Sequence, residues 1–327
     1  TKYRECDISQ GRGKTLLKIF FFIINGAAGN GKSKKTWSRL KRLLDKKNIL
    51  YRYYFTQYPN HSEVITKKIV HTERGKIAAI ITVGGDGTIH EVLNGLMNHS
   101  NVNIGFIPAG SGNDFARGFQ IPKSSSKALE FILNFDGSIP KVDVGSFQLN
   151  NMPEKRLFIN SLGVGFDAEV SMEANKLRMK KWLNLLGIGS FTYVVALLKK
   201  AITFQQTDVE LTIDDQILHC PKVWFITVSN QPYYGGGMQI SPSALPNDGL
   251  LNITVVHDLS RIKLLLIFVS VFLGKHTMFK EVRTRTGKKV TITSNESLHI
   301  HTDGESAGVS PVSIEVLPSY FQVYSNL

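Results

Sequence analysis

Apolar positions fall into two textures along the chain. Up to about residue 140, apolar and β-branched runs alternate with segments of helical period: strands at 16–24, 50–56, 77–83 and 102–107, and helices at 33–46, 61–72, 88–98, 113–119 and 124–134. Such alternation predicts a parallel sheet covered by helices on both faces. In the third helix Ile89, Val92, Leu93, Leu96 and Met97 recur at i, i+3, i+4, i+7 and i+8, so one stripe faces the sheet. Beyond residue 140 the pattern becomes short β-rich segments, among them VDVGSFQL, DVELTI, KVWFITVSN, GLLNITVV, SLHIHT and VSIEVL. Turn-prone NN, DD, PNDG and SNES separate several of them. This second texture predicts an antiparallel sandwich or barrel with one or two helices inserted, at 166–180 and 260–273. The expected fold class is therefore α/β plus all-β. An open α/β domain occupies 15–140, a β-sandwich domain 141–317, and 318–327 is a candidate addition to the first. Residues 1–14 carry no hydrophobic period and read as a tail.

Composition narrows the setting. A chain of 327 residues with 42% hydrophobic content can bury two cores. Cys6 and Cys220 lie far apart, which argues against a disulfide framework and for a reducing, cytoplasmic setting. No secretory signal opens the sequence. The longest apolar stretch, LLLIFVSVFLG at 264–274, falls short of the ~20 residues a membrane-spanning helix needs. The formal charge of +13 is uneven: residues 1–50 hold thirteen Lys and Arg against three acids, and 176–200 hold six and no acid. Such patches attract nucleic acid, nucleotide phosphates or an anionic lipid surface, or are solvated faces that maintain solubility.

The motifs decide among these. NGAAGNGKSKKTW at 25–37 follows an apolar strand, and Gly26, Gly31, Lys32 and Ser33 fit G-x-x-x-x-G-K-[ST], the P-loop pattern. Against that reading, the aspartate offered as its metal partner, Asp86, is wrapped in glycines in VGGDGTIHEV, which reads as a phosphate loop itself. Gly84, Gly85 and Gly87 stand at the carboxyl end of a strand, where open α/β sheets bind ligands and backbone N–H groups can approach a phosphate. The next strand ends in AGSGNDFARGF, a second glycine-rich turn into a helix. Either turn alone can be purely structural; the pair predicts a wall of backbone donors around a polyphosphate. Asp86, Asp114, Asp143, Asp303 and Glu305 all lie near glycines at predicted strand ends, suited to Mg²⁺ neutralisation and proton acceptance in phosphoryl transfer. Singly, each aspartate is also compatible with an Asx turn or a helix cap.

GGDGT at 84–88, PAGSGNDFAR at 108–117, VDVG at 142–145, SPSALPNDGLL at 241–251 and HTDGE at 301–305 occur in an order that resembles the diacylglycerol kinase catalytic-domain superfamily, and within it the soluble bacterial lipid kinases. The resemblance runs from residue 16 nearly to the end. It implies a nucleotide-binding α/β domain of phosphofructokinase/NAD kinase type with a β-sandwich lipid-substrate domain, and ATP and Mg²⁺ as cofactors. NGAAGNG resembles the family's Asn-Pro-x-Ser-Gly turn, with Gly26 where Pro is usual, so Asn25 and Gly26 lie near the nucleotide and Lys32 is no P-loop lysine. Thr56, Gly84, Gly85, Asp86, Gly87, Thr88, Ser111, Asn113, Asp114 and Asp143 carry over as cofactor-binding positions, with Ser111 where Thr is more frequent. Asp86, Asp114 and Asp143 would hold Mg²⁺ directly or through water. Asp303 or Glu305 would accept the proton of the lipid hydroxyl. Asp248, with the carbonyls of Leu245 and Leu250, resembles a structural metal site apart from the catalytic centre, although Asn-Asp-Gly also favours a plain turn.

These motifs imply a kinase transferring the γ-phosphate of ATP to a lipid alcohol, diacylglycerol first, with sphingosine, ceramide or phosphatidylglycerol-like acceptors and NAD as alternatives. An NAD kinase would share GGDGT but not PAGSGNDFAR or the late DGE. A nucleic-acid module would explain the charge but neither the two phosphate turns nor the carboxylates, so nucleic acid is not expected as a partner. The enzyme would work from the cytoplasm at the inner face of an anionic membrane, and a homodimer stays open. RMKKWLNLLGIGSFTYVVALLKK at 178–200 has the basic ends and apolar middle of an interfacial segment. His299 and His301 share one strand face and, lacking a third ligand nearby, are expected to be exposed.

Overall fold

The computed structural model describes residues 18–179 and 191–327. The chain divides into two compact units, one reaching to Val142 and resuming at Tyr320–Leu327, the other spanning Asp143–Ser319.

In the first unit β1 (Ile19–Ile24), β2 (Tyr51–Phe55), β3 (Ile77–Gly84) and β4 (Asn103–Pro108) form a parallel sheet in the order β4-β3-β1-β2. Gln322 and Val323 add a fifth parallel strand against Asn103 and Ile104. Phe21, Phe22, Ile23 and Ile24 of β1 are fully buried, as an inner strand covered on both faces must be. Five helices connect the strands: α1 (Lys32–Lys46), α2 (His61–Thr72), α3 (Asp86–Gly95), α4 (Asp114–Gly118) and α5 (Ser125–Leu133). Trp37, Leu40 and Leu44 form the buried stripe of α1, and Trp37 packs 5.1 Å from both the Phe22 and Tyr53 rings. Burying side chains of this size contributes about 1.5–3 kcal/mol each.

Helix α3 is displaced from its expected bounds. It starts at Asp86, since Gly85 is still extended at φ −110°, and it stops at Gly95. Asn98 adopts a left-handed φ of 68° and its N–H donates to Tyr320 Oη, so the helix cannot continue and Met97 is only half-buried.

The second unit is antiparallel. Its strands are β5 (Lys141–Leu149), β6 (Arg156–Phe158), β7 (Ser161–Gly165), β8 (Thr207–Ile213), β9 (Gln216–Ser229), the short pair β10 (Tyr233–Tyr234) and β11 (Met238–Gln239), β12 (Leu251–His257), β13 (Val282–Gly287), β14 (Lys289–Ser294), β15 (His299–Thr302), β16 (Glu305–Val309) and β17 (Val312–Val323). Strand β9 organises them: its first half forms a hairpin with β8 across Asp214-Asp215, and its second half lies between β7 and β12. One core gathers Leu211, Ile226, Val228, Ile253, Ile292 and Ile300 inside the sandwich. A second forms where α6 (Phe166–Met179), α7 (Phe191–Thr203) and α8 (Arg261–Val271) cover the sheet around Phe166, Phe204 and Trp224. Among the described residues no helix is long and apolar enough to cross a membrane.

Candidate active site

In the first unit the carboxyl ends of β1, β3 and β4 carry three turns that lock onto one another. Asn25 follows β1; its side-chain amide donates to Thr88 Oγ1 at 3.1 Å, while its Oδ1 accepts from the Ala27 N–H. Gly26 is buried, and a Cβ there would stand 3.0 Å from Lys34 Cε. Thr56, just past β2, is tied to β1 by its N–H donating to the Ile24 carbonyl. Lys32 is exposed, and the buried Ser33 hydroxyl donates to the Asn25 carbonyl. A P-loop would turn that hydroxyl to a metal and that lysine to phosphate; here the serine closes the turn instead.

The glycines of β3 and β4 serve mutual approach. A Cβ on Gly110 would come 2.5 Å from Gly85 Cα, and one on Gly84 would meet Thr88 Oγ1 at 2.6 Å. The Gly84 carbonyl accepts from the N–H groups of Ala109 and Gly110, and the Gly85 carbonyl accepts from Thr88 N–H. Part of the expected donor wall is thus engaged in fixing the two turns together. Asp86 Oδ1 accepts from Phe115 N–H at 2.9 Å, holding the start of α4. Asn113, in the left-handed region at φ 54°, exchanges side-chain hydrogen bonds with Gly110, while Ser111 stays exposed beside it. Asp114 is buried and pairs with Arg117 at 2.6 Å, and the same guanidinium nitrogen donates to the Gly112 carbonyl. Asn25, Gly26, Gly84–Thr88 and Gly110–Asp114 therefore belong to one constellation, lined by backbone at the ends of adjacent strands.

The second unit holds the remaining carboxylates. Asp143 is 1% exposed; its Oδ2 accepts from Gly249 N–H at 2.6 Å and its Oδ1 from Ser319 N–H at 2.7 Å. Its carboxylate clamps the PNDG turn to β17. In that turn Asp248 Oδ1 accepts from Leu250 N–H at 2.9 Å, an Asx turn, with Asp248 and Leu245 exposed. One carboxylate and adjacent carbonyls suit a hard cation that retains several waters. Among the described residues no three His, Cys, Asp or Glu side chains gather as a metal cluster.

The DGE motif is a β-hairpin turn. Asp303 and Gly304 link β15 to β16 with φ of 51° and 90°, the paired left-handed conformation that Asp-Gly supplies to two-residue hairpins. The Asp303 carboxylate accepts three backbone N–H bonds, from Ile159 at 3.1 Å, Asn160 at 2.8 Å and Ser161 at 3.1 Å. Glu305, the first residue of β16, is exposed. The Gly304 carbonyl accepts from Ser171 Oγ and Asn175 Nδ2 on α6, and its N–H donates to His301 Nδ1 at 3.4 Å.

His301 corrects its expected exposure: it is 2% exposed, while His299 is half-buried. With Nδ1 accepting from Gly304, Nε2 carries the proton toward Asp167 Oδ2 at 3.3 Å, and Thr227 Oγ1 donates to the same oxygen. A Cβ on Gly163 would fall 2.1 Å from Asp167 Oδ2 and 2.4 Å from His301 Nε2, so only glycine fits above this buried pair. The contacts of Asp167, Ser171 and Asn175 with the DGE hairpin were not legible in the sequence, because His301 and Gly304 lie more than a hundred residues away from them.

A parallel α/β unit with interlocked glycine turns at its strand ends, followed by a β-sandwich-like unit, defines the architectural class of the chain. Residues 19–147 match the diacylglycerol kinase catalytic domain, and residues 160–325 match the YegS C-terminal NAD kinase beta sandwich-like domain. The chain belongs to the diacylglycerol kinase catalytic-domain superfamily. It is 31% identical over 306 residues to the Bacillus subtilis protein named "Putative lipid kinase YtlR", covering 93% of this chain and 98% of the relative. It is 33% identical over 245 residues to a Mycobacterium tuberculosis diacylglycerol kinase, covering 75% and 76% of the two chains. A crystal structure of a diacylglycerol kinase from Bacillus anthracis superposes with a TM-score of 0.67 at 20% identity, over 96% of this chain and 98% of the other. Yeast NADH kinase shares the fold at a TM-score of 0.52 and 10% identity, over 95% of this chain and 83% of the other.

Proposed function

We propose that this protein transfers the γ-phosphate of ATP to the hydroxyl of a membrane lipid alcohol, with diacylglycerol as acceptor and phosphatidic acid as product, from the cytoplasmic side. The observation that carries this reading is the joining of GGDGT and PAGSGND into one backbone-lined site, in a chain whose late DGE hairpin presents an exposed glutamate. Asn25, Gly26, Thr56, the Gly84–Thr88 turn and Ser111–Asn113 hold the nucleotide. Asp86 and Asp114 are the carboxylates that would hold Mg²⁺, and the Asp248 turn with the carbonyls of Leu245 and Leu250 would hold a second, structural ion. When bound, Mg²⁺ neutralises charge on the β- and γ-phosphates. The lipid oxygen bonds to the γ-phosphorus as the bond to the β–γ bridging oxygen breaks, and the hydroxyl proton passes to a carboxylate. Of the two acids in the hairpin, Glu305 suits that role by its exposure, which leaves its side chain within reach of an incoming lipid, while Asp303 accepts three amide hydrogens. Asp143, likewise engaged by two amides, acts as a positioning group.

The test incubates the protein with labelled ATP, Mg²⁺ and micellar diacylglycerol, sphingosine, ceramide, phosphatidylglycerol or NAD. Transfer to diacylglycerol is expected, with Glu305→Gln lowering kcat by about 10²–10⁴-fold at unchanged thermal stability. Transfer to NAD alone would refute the lipid reading, and a fully active Glu305→Gln would move the base elsewhere.

A further inference from the structure

We infer that the outer faces of α7 and α8, with the turn after α8, form a docking surface for an anionic lipid bilayer. Helix α8 is apolar on two opposite sides. Leu264, Ile267 and Val271 point into the core at 4%, 3% and 6% exposure, whereas Ile262, Leu266, Val269 and Leu273 are 75%, 70%, 67% and 69% exposed. Both sets recur every three or four residues, so each runs the length of the helix as a stripe. A helix apolar all round belongs in a buried setting; this one buries a single side. Its neighbour repeats the arrangement: α7 buries Ala196, Leu197 and Ala201, and exposes Val195, Leu198 and Ile202 at 45%, 46% and 74%. Arg261 joins the two helices, its Nε donating to the Ala201 carbonyl at 3.0 Å and its guanidinium to the Phe204 carbonyl at 3.3 Å. Past α8, Phe272 and Met278 extend the patch at 51% and 82% exposure.

Charge selects the occupant. From Ser260 to Lys280 the sequence contains Arg261, Lys263, Lys275 and Lys280 and no Asp or Glu. Lys263 pairs with Glu281, while Lys275 and Lys280 are exposed at the patch's end. Aliphatic stripes edged by lysines suit the boundary between headgroups and acyl chains, where basic residues meet anionic lipid. A second copy docked through this same segment would bring no acidic side chain from it to meet those lysines. At eleven residues α8 is too short to span a bilayer and lies in its plane. The basic-ended segment at 178–200 is the sequence's candidate for this role, and 180–190 of it lie outside the described residues; among the described residues α8 carries the larger exposed stripe.

This surface names a partner for the proposed kinase, yet it is testable without ATP or substrate. The full chain is sedimented with vesicles of phosphatidylcholine alone or mixed with phosphatidylglycerol, alongside Leu266→Gln/Val269→Gln and Lys275→Glu/Lys280→Glu. Wild type should pellet with the anionic vesicles, each double variant should bind at least tenfold more weakly, and the apolar variant should melt as wild type does. Undiminished binding by Leu266→Gln/Val269→Gln, equal binding to phosphatidylcholine alone, or a concentration-dependent dimer that this variant abolishes in place of vesicle binding would each overturn the inference. Vesicle binding without phosphate transfer to any lipid would overturn the proposed function and leave the surface standing.

Discussion

At the residue scale, two neighbouring acids in one motif stand in different surroundings. Asp303 anchors the hairpin by accepting from Ile159, Asn160 and Ser161, whereas Glu305 is presented outward. Leaving a buried amide unsatisfied costs about 1–3 kcal/mol. Asp303→Ala, which strands three amides that are only partly buried, is expected to lower stability by roughly 3 kcal/mol in urea unfolding. Asp303→Asn retains one acceptor oxygen and should lose less. Glu305→Gln should leave the urea midpoint unchanged while removing activity, so the pair separates anchoring from chemistry. A large stability loss in Glu305→Gln with none in Asp303→Ala would reverse the assignment. Gly163→Ala tests the buried pair behind the hairpin: its methyl would collide with Asp167 and His301, and a melting temperature equal to wild type would refute that geometry.

At the element scale, the glycine turns of β3 and β4 act as one unit, because Gly85 and Gly110 touch backbone to backbone. Gly110→Ala must push them apart, and nucleotide affinity should fall about tenfold or more by titration calorimetry; affinity equal to wild type would show that the turns bind independently. Much of this level was readable from sequence. Apolar strands alternating with one-striped helices define a parallel sheet wherever they occur, and glycine clusters at strand ends mark the turns. The legible part stops where partners are remote. Nothing in VDVG shows that Asp143 accepts from Gly249 and Ser319, and His301 resembles a surface residue until Asp167, 134 positions away, is seen beneath it. Periodicity failed at α8 for a different reason: with apolar residues on both sides, the pattern cannot say which side is covered.

At the scale of the whole molecule, the formal charge of +13 does not by itself set how stability depends on pH. Two histidines of the second unit contribute to that dependence. His257, at the end of β12, and His276, in the 3₁₀ turn after α8, are buried, and that burial pushes both below the ordinary histidine range; Arg283 adds to the effect at His257, while the bond to the Ile240 carbonyl partly opposes it at His276. Neither His257 nitrogen has a hydrogen-bond partner. Folded-state values below the unfolded one, about 6.5, mean that on acidification the unfolded chain takes up protons before the folded chain does. Stability therefore falls as pH drops below about 6.5, with each histidine adding a slope of at most about 1.4 kcal/mol per pH unit. Above that pH both are neutral in either state and add none. Replacing His257 with Leu and His276 with Gln, whose amide can still donate to Ile240, should flatten the melting temperature between pH 6.5 and about pH 5. A double variant that loses stability as steeply as wild type over that window would assign the acid sensitivity to the carboxylates instead.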